Sequence, residues 1–122
     1  MKILESEENY LETILVLSLK GSGVRSIDIV NELEYSKPSV SIAMKNLRSK
    51  AYIKIDEEGL ITLTKKGQKI ADTVYERHVV ISSWLMSLGV DKKTALHDAC
   101  HMEHALSDKS FSAIKNHIKK TS

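Results

Sequence analysis

The sequence predicts a mainly α-helical chain, with an N-terminal winged helix-turn-helix of three helices and a two-stranded β-hairpin wing, followed by a further helical region. Apolar residues recur every three to four positions over most of the 122 residues. The period drops to two only across residues 52–63, where two short alternating runs flank a polar turn ending in glycine. Glycine and cap residues separate the helical stretches at short intervals, which predicts tight connections.

Taken in order, Tyr10, Leu11, Ile14, Leu15 and Leu17 share one face of a helix over residues 6–19, ended by Gly21-Ser22-Gly23. Ser26 caps a short second helix whose buried side is Ile27, Ile29, Val30 and Leu33. After the turn Glu34-Tyr35-Ser36, Ser36 and Pro38 open a third helix, because a proline in the first turn gives up no intrahelical hydrogen bond. Val40, Ala43 or Met44, Leu47 and Ala51 form its inward stripe. Tyr52-Ile53-Lys54-Ile55 and Leu60-Ile61-Thr62-Leu63 are the strands, joined through Asp56-Glu57-Glu58-Gly59. Thr64 caps a long fourth helix through Ile70, Val74, Ile81 and Leu85, stopping at Gly89. Asp91 starts a fifth through Leu106, and Ser107 or Asp108 a sixth that buries Phe111, Ile114 and Ile118. The expected division is residues 1–64 for the winged helix and 65–122 for the helical remainder.

With 42% hydrophobic residues in 122, the chain has material for one compact fold and nothing larger. No apolar run approaches the roughly 18–20 residues that span a bilayer. The start, Met1-Lys2-Ile3 followed by Glu5, Glu7 and Glu8, lacks the pattern of a secretion signal, so a cytoplasmic location with no membrane partner is expected. A single cysteine, Cys100, excludes an internal disulfide and leaves a thiol for other chemistry.

The net charge of +2 hides an uneven distribution. Between residues 36 and 69, eight cations (Lys37, Lys45, Arg48, Lys50, Lys54, Lys65, Lys66, Lys69) face three carboxylates, a local +5 that leaves −3 elsewhere. A single basic region suits a polyanion. In a winged helix-turn-helix the third helix enters the major groove. Here Ser36, Lys37, Pro38, Ser39, Ser41, Ile42, Lys45 and Arg48 supply hydroxyls near its N-terminal end, where base edges are reached, and cations on the flank, where phosphates lie. Ile42 falls roughly opposite Val40 on the helical wheel, and two readings stand: contact with a thymine methyl, or packing on the first helix. Lys65 and Lys66 occupy a first helical turn, where the macrodipole disfavours cations and a phosphate would reverse the sign.

The fifth helix contains His97-Asp98-Ala99-Cys100-His101-Met102-Glu103-His104. Positions 100, 103 and 104 place a thiol, a carboxylate and an imidazole on one helical face, the way a helix presents several donors to one transition metal. Further ligands must then come from elsewhere; His78 is one candidate, and Asn9 and Glu12, one step apart on the first helix, are others. The competing reading is a core cysteine among structural histidines. A Cys-His nucleophile fits poorly, since no oxyanion hole is evident and the His-Glu-x-x-His metalloprotease pattern is absent, so no enzymatic activity and no organic substrate are expected.

In order over nearly the whole chain, Glu8-Asn9-Tyr10-Leu11-Glu12-Thr13-Ile14, Ser36-Lys37-Pro38-Ser39-Val40-Ser41, Leu63-Thr64-Lys65-Lys66-Gly67, Arg77-His78 and Cys100-x-x-Glu103-His104-x-Leu106-Ser107 resemble the diphtheria toxin repressor and manganese transport regulator family of metal-dependent transcription repressors. The resemblance implies a ligand set of Asn9, Glu12, His78, Cys100, Glu103 and His104 and a divalent transition metal as co-repressor, Fe(II) or Mn(II) by family, with Zn(II), Co(II) or Ni(II) compatible with the donors. It implies that residues 65–122 are a dimerisation and metal-binding region, with Trp84, Leu88, Leu96 and Phe111 as interface anchors, and that the homodimer binds a palindromic double-stranded DNA operator. A short form without the family's extra C-terminal domain is expected. Asn9 departs from the carboxylate or methionine of other members, and Cys100 matches the iron-type pattern. Ser82 and the displaced His97 break the pattern of a second family site. The alternative function is a winged-helix regulator of the multiple-antibiotic-resistance type, which senses a small organic ligand.

Overall fold

In the computed structural model, which describes residues 4–121 and so leaves the Met1-Lys2-Ile3 start outside, the element order is α1 (Glu5–Ser18), α2 (Ser26–Leu33), α3 (Lys37–Ser49), β1 (Ile53–Ile55), β2 (Ile61–Leu63), α4 (Lys65–Ser87), α5 (Lys92–Ala105) and α6 (Asp108–Thr121). This is the mainly helical winged helix-turn-helix order that the sequence predicts. The chain divides into two compact units, Met1–Asp72 and Thr73–Ser122, with the division inside α4.

In the first unit, Leu11, Ile14, Val24, Ile29, Val40, Met44, Leu47, Ile53 and Ile61 are each at most 2% exposed and form one core shared by the three helices and the hairpin. The hairpin is antiparallel, with Ile53 opposite Leu63 and Ile55 opposite Ile61. Ile61 also donates its N–H to the Val24 carbonyl at 2.7 Å, which fixes the turn end of β2 to the segment before α2. Arg25 Nε donates to the Glu58 carbonyl at 3.3 Å and tethers the wing tip. At the other edge, Lys50 Nζ meets Glu7 Oε2 at 2.5 Å, joining the end of α3 to the start of α1. Burial raises the Glu7 carboxyl, but the Lys50 hydrogen bond, the Leu4 N–H and the Lys50 charge outweigh it and hold the group below the ordinary carboxylate range.

Most caps are those the sequence indicates. Ser36 Oγ accepts the Ser39 N–H at 3.2 Å with Pro38 in the first turn of α3, Thr64 Oγ1 accepts the Gly67 N–H at 3.1 Å, Asp91 Oδ2 accepts the Thr94 N–H at 3.0 Å, and Ser107 Oγ accepts the Ser110 N–H at 3.1 Å. Three assignments differ. Ser26 is already helical; the first turn of α2 is closed instead by Asp28, whose carboxylate accepts the Arg25 N–H at 2.9 Å. Ile27 is 44% exposed rather than buried, because it lies about 200° around the helix from the fully buried Ile29. Ala51 is exposed beyond the end of α3, with φ 64, so it turns the chain into the wing instead of extending the inward stripe. Its neighbour Tyr52 donates to the Leu47 carbonyl at 3.0 Å, the bond pattern of a left-handed helix stop.

In the second unit, Ile81, Ala99 and Phe111 are buried together, one from each of α4, α5 and α6, with Val80, Leu85, Met102 and Leu106 packed around them. No helix among the described residues is long and apolar enough to cross a membrane.

Gly67 sits where α4 meets the base of the wing, and a Cβ there would lie 2.0 Å from the Tyr52 carbonyl oxygen. Gly67→Ala should destabilise the protein by about 2–3 kcal/mol through that clash, although helix propensity alone would favour alanine by about 1 kcal/mol. Urea unfolding reads the sign directly, and a stabilised variant would contradict the close approach.

Candidate metal centre

Arg77 and His78 are consecutive on α4 and therefore point about 100° apart. Arg77 follows Val74 by three residues and precedes Ile81 by four, which puts it on the buried stripe of the helix at 8% exposure. Its Nη1 donates to the Glu103 carbonyl at 3.0 Å and the Leu106 carbonyl at 2.5 Å, and its Nη2 meets Asp108 Oδ1 at 2.5 Å. The guanidinium lies 5.3 Å from the Phe111 ring centre. One side chain thus satisfies the last turn of α5, where carbonyls lack intrahelical partners, and ties it to the start of α6.

That fastening fixes Glu103. Its side chain is fully buried, with Oε2 at 3.1 Å from His78 Nδ1 and Oε1 at 3.3 Å from His104 Nε2. His104 is 4% exposed and His78 25%, so the group is sheltered and opens on the His78 side. A buried carboxylate needs a positive partner, and a divalent cation would supply it while both imidazoles stay neutral. The donor chemistry fits a transition metal: two imidazoles, a carboxylate, and the Cys100 thiol one turn earlier on α5.

The structure therefore brings His78, Glu103 and His104 together within the second unit. Cys100 is exposed on the same helix. In the first unit, Glu12 is buried at 8% exposure and Asn9 is half-buried, three residues apart on α1. Of the proposed dimer anchors, Leu88 is 64% exposed, Trp84 and Leu96 are half-buried, and Phe111 lies in the core of its own unit. Arg77 went unassigned in the sequence. The signal for it was a cation falling on the apolar stripe of an otherwise amphipathic helix.

The DNA-facing set lies at the surface of the first unit. Ser36, Lys37, Pro38, Ser39, Ser41, Ile42, Lys45, Arg48, Lys65 and Lys66 are all exposed. Ile42 is 61% exposed, which leaves the thymine-contact reading and removes packing on the first helix. Ser36 and Ser39 share a hydroxyl hydrogen bond at 2.8 Å. Lys66 Nζ sits 4.8 Å from the Tyr52 ring centre and 3.5 Å from the Lys50 carbonyl, two weak attractions that offset its place in a first helical turn.

A winged helix with an exposed cationic third helix, on a chain that also gathers two imidazoles about a buried carboxylate, defines a class of ion-responsive transcription regulators. Residues 64–122 match the model of the iron-dependent repressor metal-binding and dimerisation domain. Over 118 residues the chain is 32% identical to an uncharacterised HTH-type transcriptional regulator of Methanocaldococcus jannaschii, covering 95% of this chain and 94% of that protein. It is 32% identical over 106 residues to the transcriptional regulator MntR of Salmonella typhimurium, covering 87% of this chain and 68% of that one. Among solved structures it matches the manganese regulator SloR with TM-score 0.82 and 28% identity, over 93% of this chain and 53% of that chain, so it spans about half of SloR's length. The chain belongs to the diphtheria toxin repressor and manganese transport regulator family of metal-dependent transcription repressors.

Arg77→Met keeps the stem but abandons the two carbonyls, and should cost about 2–4 kcal/mol. Asp108→Ala should cost under about 1 kcal/mol, because its carboxylate is 94% exposed and remains hydrated. Urea unfolding of both variants separates the roles; equal losses would show that the ion pair, not the helix-end carbonyls, holds the segment.

Proposed function

We propose that this chain is a metal-dependent DNA-binding repressor of metal-homeostasis genes, with a divalent transition metal as co-repressor. It acts as a cytoplasmic homodimer on a palindromic double-stranded operator and catalyses no reaction. The observation that carries this reading is Glu103, a fully buried carboxylate held between His78 and His104 on a chain whose other unit displays a cationic third helix. Asn9, Glu12, His78, Cys100, Glu103 and His104 are the proposed ligands. Residues 1–64 read DNA and residues 65–122 bind metal and dimerise, Trp84, Leu88 and Leu96 facing the partner copy while Phe111 anchors α6 from within the core.

The donors and the relatives pull the choice of ion in two directions. SloR is a manganese regulator by name, which favours Mn(II). Cys100 brings a soft donor that favours Fe(II), Co(II), Ni(II) or Zn(II). Family membership favours metal over the organic ligand of the antibiotic-resistance-type alternative.

Glu103→Ala and His104→Ala should each abolish metal-stimulated binding to an operator selected from random-sequence DNA, while far-UV circular dichroism stays close to that of the parent. Undiminished stimulation in both variants would overturn the ligand assignment, and binding indifferent to every ion would favour an organic effector. On the DNA face, Lys45→Ala should weaken binding to all sequences alike and reduce the slope of log affinity against log salt by about 1. Ile42→Ala and Ser39→Ala should instead change the sequence selected. Uniform losses on every DNA would remove these two from base reading.

A further inference from the structure

A second pair of imidazoles lies on α5, away from Glu103. His97 and His101 are four residues apart, so their side chains are stacked one turn above the other. Their ring centres are 4.9 Å apart, with planes inclined at 64°. The His97 side chain is 72% exposed and His101 is exposed as well, in contrast to His104 at 4%. On the helical wheel the midpoint of the pair is about 140° from Glu103. Asp98 Oδ1 stands 3.5 Å from His97 Nδ1, so Nε2 is the ring nitrogen that this carboxylate leaves free to bind.

We propose that His97 and His101 form a separate, solvent-open site on α5 for a borderline divalent ion such as Cu(II), Ni(II) or Zn(II). Two imidazoles one helical turn apart are the arrangement by which a helix chelates such an ion. Both donors are nitrogen, which ranks the later first-row ions above Mn(II) and gives no advantage to Mg(II) or Ca(II). Water completes the coordination, so the site is weaker than an enclosed one and exchanges freely. Asp98 is a positioning residue: a carboxylate on one ring nitrogen sets the tautomer that leaves the other nitrogen able to bind. None of this depends on the buried centre, which uses other residues.

The test is equilibrium dialysis of the full chain against Ni(II) alone, near neutral pH under reducing conditions. The forms compared are the parent, H97A/H101A, E103A/H104A and the combination of all four substitutions. E103A/H104A should retain about one Ni(II) per chain, and the fourfold variant should lose it. Nickel should also raise the thermal midpoint of E103A/H104A and leave that of the fourfold variant unmoved, because a cross-link between successive turns stabilises α5. Asp98→Asn, made in the E103A/H104A form, should weaken nickel binding about tenfold, the usual consequence of losing a carboxylate behind a ligating histidine. Equal nickel uptake by E103A/H104A and the fourfold variant would overturn the site, and unchanged affinity in Asp98→Asn would remove the positioning role. Should E103A/H104A bind as many ions as the parent, with H97A/H101A one short, the outer pair stands and the buried assignment fails.

Discussion

Burial of Glu103 is the constraint around which the second unit is arranged. A carboxylate removed from water loses several kcal/mol of hydration unless cations or donors replace it. Here His78 on α4 hydrogen-bonds one carboxylate oxygen at 3.1 Å, and His104 Nε2 on α5 lies 3.3 Å from the other. Their geometry requires α4 and α5 to keep a fixed separation and register. The apolar cluster of Ile81, Ala99 and Phe111 packs the three helices together, and Glu103 adds a directional demand on where α5 lies.

Arg77 explains why the demand is met at the end of a helix, the place where helices ordinarily fray. The last turn of α5 carries carbonyls without intrahelical partners, and the chain leaves it at Leu106 in an extended conformation. Arg77 donates to two of those carbonyls from the neighbouring helix and holds Asp108 at the start of α6. Because Arg77 and His78 are adjacent, the residue that fastens the α5 terminus and the residue that faces Glu103 share one stretch of backbone. A shift of α4 that moved one would move the other.

Much of this was legible in sequence because it depends on spacing within single helices. The i, i+3, i+4 relation of Cys100, Glu103 and His104 is a property of any α-helix, and Ser36, Thr64, Asp91 and Ser107 act through hydrogen bonds three residues away. What escaped depended on contacts between segments or on where a helix ends. Ala51 continues the apolar period of α3, and only the left-handed turn after Lys50 removes it from the stripe. Ile27 and Ile29 read as one face in sequence because the eight residues of α2 give too few turns to separate two faces by periodicity. Arg77 breaks an apolar pattern, and its carbonyl partners are 26 and 29 residues away. The stretch from His97 to His104 reads as one cluster in sequence, whereas burial divides it into an inward pair, Glu103 and His104, and an outward pair, His97 and His101.

That His78, Glu103 and His104 already meet within one unit bears on how an ion would act as a switch. Donors that are in place before the ion arrives contribute affinity, yet they bind equally well whatever the winged helix does, and a ligand with equal affinity for two states shifts neither. On the proposed ligand set, Asn9 and Glu12 lie in the first unit and the other four in the second, so a metal-dependent change in DNA binding would draw its differential affinity from those two. Moving a two-state equilibrium from 1:99 to 99:1 takes about 5.5 kcal/mol of such difference. On that set a charged oxygen from Glu12 and a neutral one from Asn9 would have to supply it. On the proposed set, changes at Asn9 should therefore alter the coupling more than the affinity itself.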